Sequence, residues 1–520
     1  MKLLAFKIIF IATILPITAM AQDKHKAAFT NGIEYGVEMQ GSVAFGDDKT
    51  PLWLNANKYG LSSLEKNNGY LRANLERPLA VDDEYKWGIG YGLDMAAAYN
   101  YTSKAIVQQA YVEGRWLKGV LTIGSKQQPM ELKNQELSSG SQTLGINARP
   151  VPQVRVALPE YWEIPKTKGW LSVKGHIAYG MTSDDKWQKD FTQQQTKYTE
   201  NVLYHSKAGY LKIGNEQRLS PISLEMGLEM ATLFGGTSYN ANGKDVVKNE
   251  GGLKGMWHAF IPGGAEAVED LYKNIGGDQL GSWLIRLNFD YDSWNLGVYW
   301  DHFFEDQSAM FHLDYDGYGT GEEWNTWKDS RYLLYGFKDM MLGCELKLKR
   351  TNWINNIVFE YLYTKYQSGP IYHDHTPNIS DHIGGVDEYY NHYVFTGWQH
   401  WGQVIGNPLY LSPIYNDDGT IYIKNNRFYA FHLGASGDTS ENLHYRMLAT
   451  YQKGFGTYGI PYTNPREGVS IMAEARYEFP NTTRLNGWSV TAAAGIDMGK
   501  LRGTNQGIQL TIAKKWKQGR

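Results

Sequence analysis

The chain has a single cysteine, Cys344, so no intramolecular disulfide can form. An exported protein of this size therefore keeps its fold without such bonds. After residue 21 the chain also lacks any apolar run near the roughly 18 residues that a membrane helix needs. If the protein spans a membrane, it must do so with β-strands, because only helices and closed barrels satisfy their backbone hydrogen bonds in lipid.

Signatures of catalysis are absent as well. The chain contains no G-x-S-x-G elbow, no H-E-x-x-H motif and no glycine-rich phosphate loop. The net charge of −3 gives no electrostatic reason for nucleic acid to bind. We expect no catalytic residues, no metal site, no cofactor and no nucleic-acid partner.

Two clusters of ionisable residues nevertheless have the right residue types for metal binding or acid/base chemistry. They are His373-Asp374-His375 with Asp381-His382, and Asp301-His302 with Glu305-Asp306. The spacing of the first cluster matches no standard metal site, and no nucleophile signature accompanies the second. A solvated loop and a charged extracellular rim are the favoured interpretations.

The amino terminus has the pattern of a secretory signal peptide. Two lysines flank the start of a short apolar stretch, and this stretch ends in an A-x-A pattern at residues 19–21. We predict that residues 1–21 are removed and that residues 22–520 form one domain, since no linker or short internal repeat divides them.

Aromatic residues and glycine are abundant: the chain has 37 Tyr, 17 Trp, 18 Phe and 56 Gly. Transmembrane barrels use aromatic residues at both membrane interfaces. Apolar and polar residues also alternate over stretches of about ten, as at 283–290 and 294–301. The short 291–293 connection between these two stretches predicts a hairpin of bilayer-spanning length.

This alternation predicts an all-β fold, a transmembrane antiparallel β-barrel of about eighteen strands. The predicted strands are residues 33–46, 68–80, 86–98, 106–116, 119–126, 151–158, 170–182, 202–214, 222–233, 282–290, 294–303, 331–349, 353–366, 427–435, 443–453, 469–479, 488–498 and 507–516.

The predicted connections alternate between long and short. Those at 235–280, 305–330, 367–426 and 454–468 are long, whereas those at 291–293, 350–352, 436–442 and 480–487 are short. Outer-membrane barrels have long extracellular loops and short periplasmic turns. We therefore predict an outer-membrane location, with the long loops exposed at the cell surface.

Aromatic residues are concentrated in two of the long loops. They are Trp324 and Trp327 in one loop, and Tyr389, Tyr390, Trp398 and Trp401 in the other. Such rings either stack on the C–H faces of sugars or pack the loops together. The sequence leaves both interpretations open.

Four passages, taken together, resemble the Wzi-type capsule assembly proteins of the bacterial outer membrane. They are TPLWLNANKYG at 50–60, ELSSGS at 136–141 with NARPVPQVR at 147–155, HFFEDQS at 302–308, and GW at 397–398 with GQVIGNPL at 402–409. The resemblance implies an occluded barrel with a small helical element, which we place in residues 47–67 or 127–148. It also implies a lectin-like role in holding capsular polysaccharide at the cell surface.

Three residues near the second passage have expected roles that follow from this resemblance. If residues 127–148 fold into the lumen, Asn147 and Arg149 help to close it. Alternatively, Arg149 and Arg155 bind anionic sugar, because guanidinium pairs well with carboxylates.

The leading hypothesis is a non-enzymatic protein that binds and organises capsular or other extracellular polysaccharide. Its expected partners are that polysaccharide and outer-membrane lipid, and the sequence carries no signal for an oligomeric state. The alternative is a porin or channel for sugars or other small solutes. An enzyme acting on surface glycan or lipid is a third hypothesis, which the missing motifs disfavour.

Overall fold

A computed structural model describes residues 29–47, 49–215, 220–240, 246–261, 277–305, 338–370, 372–373 and 383–517. The predicted signal peptide, Trp324 and Trp327 lie outside these residues, as does most of the histidine and aspartate cluster near residue 375. Within the described ranges, no helix is both long and apolar enough to cross a membrane.

Eighteen antiparallel strands form one sheet that closes into a barrel. The first strand pairs with the last, from Glu34 opposite Lys517 to Gly46 opposite Asn505, so the barrel has no open edge. In chain order the strands are β1 Glu34–Gly46, β2 Asn67–Arg77, β3 Trp87–Tyr99, β4 Ala105–Trp116, β5 Gly119–Ser125, β6 Gln153–Glu163, β7 Leu171–Met181, β8 Leu203–Ile213, β9 Ile222–Phe234, β10 Asp278–Asp290, β11 Trp294–Glu305, β12 Met340–Leu348, β13 Asn356–Tyr363, β14 Phe428–Ser440, β15 Leu443–Gly456, β16 Pro461–Glu478, β17 Trp488–Gly499 and β18 Asn505–Lys517. Each predicted strand corresponds to one of these, which confirms the predicted fold class.

The alternation seen in the sequence separates a lipid-facing from a lumen-facing surface. In β10, Leu284 is buried inside the barrel and Ile285 is exposed outside it. The next residue, Arg286, points inward again and pairs with Glu345 of β12 at 2.7 Å. Successive side chains of a strand point to opposite faces, so one apolar row meets lipid while a mixed row lines the lumen.

Aromatic residues lie at the periplasmic ends of the strands. Tyr35 of β1 stacks on Trp516 of β18 with ring centroids 5.8 Å apart. Tyr291 and Trp294, at the β10–β11 turn, are 4.8 Å apart. Aromatic belts of this kind form at membrane–water interfaces. The closed barrel and its belt place the protein in the outer membrane.

The connections differ in length at the two ends of the barrel, with one exception to the prediction. Residues 291–293 and 441–442 are short turns at the periplasmic end, and residues 364–427 form a long connection at the other. The predicted long loop at 454–468 is wrong, because β15 and β16 leave only residues 457–460 between them. The first residues of β16 are mostly exposed, as in a hairpin that extends above the bilayer into water, so apolar alternation is not required there.

The described residues contain three α-helices: α1 Leu52–Asn55, α2 Asp185–Thr192 and α3 Gly252–Phe260. The predicted helical region 47–67 contains α1. The other candidate, 127–148, contains no helix. Its backbone bonds to side chains instead: Asn134 Oδ1, for example, accepts the N–H groups of Glu136 and Leu137. Helices α2 and α3 were not predicted, since helices this short give weak periodicity.

Candidate functional site

Two parts of the chain fold back into the lumen of the barrel. Residues 126–152 connect β5 to β6 and are named the plug segment. The described residues of the connection 364–427, between β13 and β14, are named the plug loop. Buried side chains from both, together with α1 and the inner wall, form one hydrophobic cluster. Packed side chains therefore fill this level of the lumen.

The aromatic residues of the plug loop make up much of this cluster. Tyr389, Tyr390 and Trp398 are fully buried. The ring of Tyr390 lies 4.0 Å from that of Tyr410, and Trp398 stacks on Tyr204 of the inner wall at 5.8 Å. These three rings were candidates for sugar stacking, but their faces are covered by protein. For them the structure agrees with the packing interpretation.

Hydrogen bonds join the two parts of the plug. Trp398 Nε1 donates to Thr143 O at 2.9 Å, Asn407 Nδ2 to Gly140 O at 2.9 Å, and Asn147 Nδ2 to Val404 O at 3.0 Å. The last contact gives Asn147 a place in the closure of the lumen. Buried backbone carbonyls without these donors would be costly, so the plug segment and the plug loop depend on each other.

Ion pairs attach the plug segment to strands on several sides of the barrel. Lys126 pairs with Glu113 of β4 at 2.6 Å, Glu131 with Lys174 of β7 at 2.5 Å, and Lys133 with Asp301 of β11 at 2.8 Å. The last pair is almost completely buried. A segment held by β4, β7 and β11 crosses the lumen rather than lining one wall.

The passages that carry the family resemblance meet in this plug. Residues 50–60 contain α1, whose Trp53 donates through Nε1 to Thr450 Oγ1 of β15 at 3.1 Å. The passages at 136–155 and 397–409 belong to the plug segment and plug loop. Phe303, from the remaining passage, is in the same cluster. The resemblance therefore rests largely on residues that close the barrel.

A tight hairpin in the plug loop presents Trp401. Gln399–His400 pairs with Gln403–Val404, leaving Trp401 and Gly402 as the turn, with φ values of 56° and 80°. Two positive φ angles are typical of a type I′ turn. Glycine adopts this conformation freely, whereas for Trp401 it costs about 1–3 kcal/mol, a strain that is often found at functional sites.

Asp184, at the start of α2, holds this hairpin in place. Its Oδ2 accepts the Trp401 N–H at 3.0 Å and Gln399 Nε2 at 3.2 Å. Its Oδ1 accepts Gln188 Nε2 at 3.1 Å. The carboxylate is therefore occupied, and Trp401 remains partly exposed above it.

Arg149 lies directly beside this tryptophan. Its Cζ is 4.1 Å from the centroid of the Trp401 ring. Its Nη2 contacts Thr102 Oγ1 at 3.3 Å, and Thr102 belongs to the β3–β4 turn at the extracellular end. The Arg149 Nε is buried and has no hydrogen-bond partner in the described part of the chain. Because that nitrogen is closed to solvent and Arg149 as a whole is only 6% exposed, Trp401 supplies most of the accessible surface of the pair.

Burial sets the charge states at this site. It lowers the pKa of Arg149 to about 10, so the guanidinium stays charged at neutral pH. Burial also lowers the pKa of His400, which is therefore neutral. Neutral His400 donates from Nδ1 to Arg149 O at 2.7 Å and accepts the Ser183 N–H at Nε2 at 3.1 Å.

Arg149 and Trp401 together are named the Arg149–Trp401 site. It places a largely buried cation against a partly exposed aromatic ring at the extracellular end of the barrel. Sugar rings present C–H faces to aromatic rings, and acidic sugars present carboxylates to guanidinium groups. The chemistry of the pair suits an anionic sugar unit.

Arg155, the other arginine predicted to bind sugar, has a different position. It lies in β6 between the exposed residues Val154 and Val156, so it faces the lumen. There it lies within electrostatic range of Glu131 and Glu229. The structure does not bring Arg155 to the Arg149–Trp401 site.

The alternation of β11 separates two candidate acid/base residues, Asp301 and His302. Asp301 faces the lumen and Lys133, whereas His302 faces the opposite side and bonds through Nδ1 to Asp339 O at 2.7 Å. The two side chains therefore lie on opposite faces of the strand, and both are buried. No group of three potential metal ligands occurs among the residues that the structure describes.

Sequence reasoning missed the residues that support the site, namely Ser183, Asp184 and Thr102. They are ordinary polar residues of other loops, far from Trp401 in the chain, and carry no motif. One local signal was present: Trp401-Gly402 places glycine where a two-residue turn requires a positive φ.

No protein-family model matches the chain, and no curated protein matches it either. Similarities to solved structures are distant. OccK3 (OpdO) of Pseudomonas aeruginosa is 10% identical with a TM-score of 0.44, over 94% of this chain and 95% of that chain. OprD of the same organism is 9% identical with a TM-score of 0.42, over 93% and 95%. OccAB4 of Acinetobacter baumannii is 9% identical with a TM-score of 0.42, over 94% and 98%. The resemblance to the Wzi-type proteins stays a prediction.

Proposed function

We propose that this outer-membrane barrel binds an anionic extracellular polysaccharide, such as capsule, at the cell surface and catalyses no reaction on it. The observation that carries the proposal is the Arg149–Trp401 site. A charged guanidinium stacks on a partly exposed indole at the extracellular end. The lumen beneath it is filled by the plug.

One such site binds a sugar unit weakly. A polysaccharide repeats its unit many times, and each cell carries many copies of the protein. Simultaneous contacts along one polymer therefore raise the overall retention far above the affinity of a single site. This is the physical basis on which a small site anchors a large polymer.

The proposal is tested in cells that lack the protein and are complemented with the wild type, Trp401→Ala or Arg149→Gln. Ring stacking contributes about 0.5–1.5 kcal/mol, so Trp401→Ala should weaken binding of one unit roughly twofold to thirteenfold. Arg149→Gln should weaken it further, because it removes the charge-assisted hydrogen bonds. The measurement is polymer on cells against polymer in the medium, at equal total synthesis.

The matched control is Trp353→Ala, which removes an exposed tryptophan from the periplasmic turn between β12 and β13. It should leave retention unchanged. Retention that is equal in the wild type, both site variants and cells without the protein would remove polysaccharide binding as the function.

A channel for small solutes is the second candidate, and the strand number is the observation that favours it. Barrels of 16–18 strands are wide enough to hold an aqueous passage. The likeness to OprD and OccK3 (OpdO) is too distant to choose between the two functions. Single-channel conductance distinguishes polysaccharide binding by a closed barrel from solute transport.

A further inference from the structure

Helix α3, in the connection between β9 and β10, lies on the outside of the barrel wall. In β8, Tyr204 points into the lumen, where it stacks on Trp398. His205 and Lys207 lie one and three positions further along the strand. Because side chains alternate between the two faces, both point outward. Lys207 Nζ donates to Phe260 O at the end of α3, and the His205 ring centroid is 5.9 Å from that of Phe260.

Two further contacts show that α3 packs against the wall. Tyr179 of β7 donates its hydroxyl to Met256 O at 2.9 Å. A Cβ at Gly255 would lie 3.4 Å from Phe234 Cδ2 of β9, which is van der Waals contact distance. Gly255 and Ala259 are the buried residues of the helix. One face of α3 therefore covers outward-pointing side chains of β7, β8 and β9.

The covered residues lie at the level of the lipid-facing band. Lys207 is paired directly with Ile177, which points outward and is 44% exposed. A lysine that faces lipid is destabilising to an extent that depends on its depth. Helix α3 shields Lys207 and supplies carbonyl oxygen from its C-terminus, where the helix dipole is negative.

The remaining surface of α3 is divided by polarity. Opposite the wall, Leu253 is 86% exposed and Trp257 is 60% exposed, with Ile261 continuing this row beyond the helix. A second row is polar: Lys254 and His258 both pair with Glu250, at 2.8 Å and 2.7 Å. Such a helix has an apolar and a charged face, as do helices that lie in a membrane interface.

We propose that α3 is a lipid-contact element of the outer leaflet. Leu253, Trp257 and Ile261 enter the acyl chains beside the barrel, in continuity with the lipid-facing wall. Lys254, His258 and Glu250 face the headgroups. This contact does not depend on polysaccharide binding.

Nitroxide labels on the full-length protein test the depth of each face. In a Cys344→Ala background, single labels are placed through Leu253→Cys, Trp257→Cys and Lys254→Cys, and through Tyr393→Cys at an exposed position of the plug loop. The variants are reconstituted in phosphatidylethanolamine/phosphatidylglycerol vesicles. Collision rates with oxygen, which enters lipid, and with a nickel chelate, which stays in water, are then compared.

Labels at 253 and 257 should collide with oxygen in preference to nickel, whereas labels at 254 and 393 should show the reverse. Nickel preference at 253 and 257 would overturn the proposal. So would low collision rates with both reagents that rise when the protein is diluted in lipid, because a second copy would then cover this face. Equal behaviour at 254 and 257 would also contradict the assigned faces.

Discussion

At the scale of single residues, two tryptophans three positions apart have opposite environments. Trp398 is fully buried between the plug segment and the wall, while Trp401 is partly exposed on the turn of its hairpin. The difference arises from backbone conformation. The positive φ angles of Trp401 and Gly402 reverse the chain, so the second indole lies outside the packed interior.

The charge of the Arg149–Trp401 site should be constant over a wide range of pH. Arg149 is protonated below its pKa of about 10, and His400, with a lowered pKa, is already neutral above its ordinary value of 6.5. Sugar carboxylates are ionised above about pH 5. Binding of an acidic polysaccharide should therefore be unchanged from pH 6.5 to about pH 8.5 and fall as pH rises through about 10.

Isothermal titration of the purified protein with acidic oligosaccharide, at fixed ionic strength, measures this profile. Arg149→Lys is the useful comparison, since a buried ammonium loses its proton more readily than guanidinium. A midpoint near pH 6.5 in the wild-type profile would instead assign the binding charge to a histidine.

The sequence could predict the residue types of the site but not which residues meet. Trp401 and Arg149 were both candidates for sugar binding, yet their contact joins segments about 250 positions apart. Tyr389, Tyr390 and Trp398 lie in the same aromatic-rich loop as Trp401, and nothing in the neighbouring sequence sets them apart. These three residues are buried inside the lumen, whereas Trp401 is partly exposed. The difference depends on how the long connections fold, which the sequence does not show.

At the scale of elements, the plug segment is held by polar contacts more than by regular secondary structure. Lys133 and Asp301 form its most buried ion pair, with side chains that are 1% and 0% exposed. Such pairs gain little net stability over apolar residues, but loss of one partner leaves a buried charge uncompensated. This pair therefore favours one position of the plug segment in the lumen over other positions.

Lys133→Met should loosen the plug segment by about 3–5 kcal/mol, because Asp301 then keeps a buried charge without its partner. Hydrogen–deuterium exchange of peptides from residues 126–152 measures the loss as faster exchange. The double variant Lys133→Met/Asp301→Leu should restore much of the protection, since no unpaired charge remains.

Lys349→Met is the matched control, because Lys349 pairs with Asp290 at the exposed periplasmic turns. Surface pairs contribute about 0–1 kcal/mol, so exchange of the plug segment should stay as in the wild type. If the single Lys133 variant also exchanges at the wild-type rate, the ion pair does not hold the plug.

Elements were predictable where the membrane imposes a pattern on them. All eighteen strands follow from period-two alternation, because one face of each meets lipid. Where that constraint ends, prediction failed: residues 461–468 of β16 are mostly exposed to water and were wrongly predicted to lie in a loop. Helix α3 was missed for a related reason, since nine residues packed on a barrel wall give little periodicity of their own.

At the scale of the whole molecule, the barrel and the plug have opposing implications for function. Eighteen strands enclose a lumen of porin size. The plug segment and plug loop fill it with side chains that are buried, hydrogen-bonded and ion-paired. Solutes therefore meet a closed barrel, and the extracellular end is the surface that remains accessible from outside the cell.

Planar-bilayer recordings distinguish a closed barrel from a channel. The wild type should show only brief, small openings, because opening requires the plug contacts to break together. Replacing residues 387–426 with a short Gly-Ser linker removes the hairpin and most of the buried aromatic residues, and it also deprives Gly140 and Thr143 of their donors. This variant should conduct steadily, since 18 strands without a plug leave an aqueous passage. Steady, large conductance of the wild type would make the channel the better account of the protein, whereas a silent wild type with a conducting variant would show that the plug closes a barrel otherwise wide enough to serve as a pore.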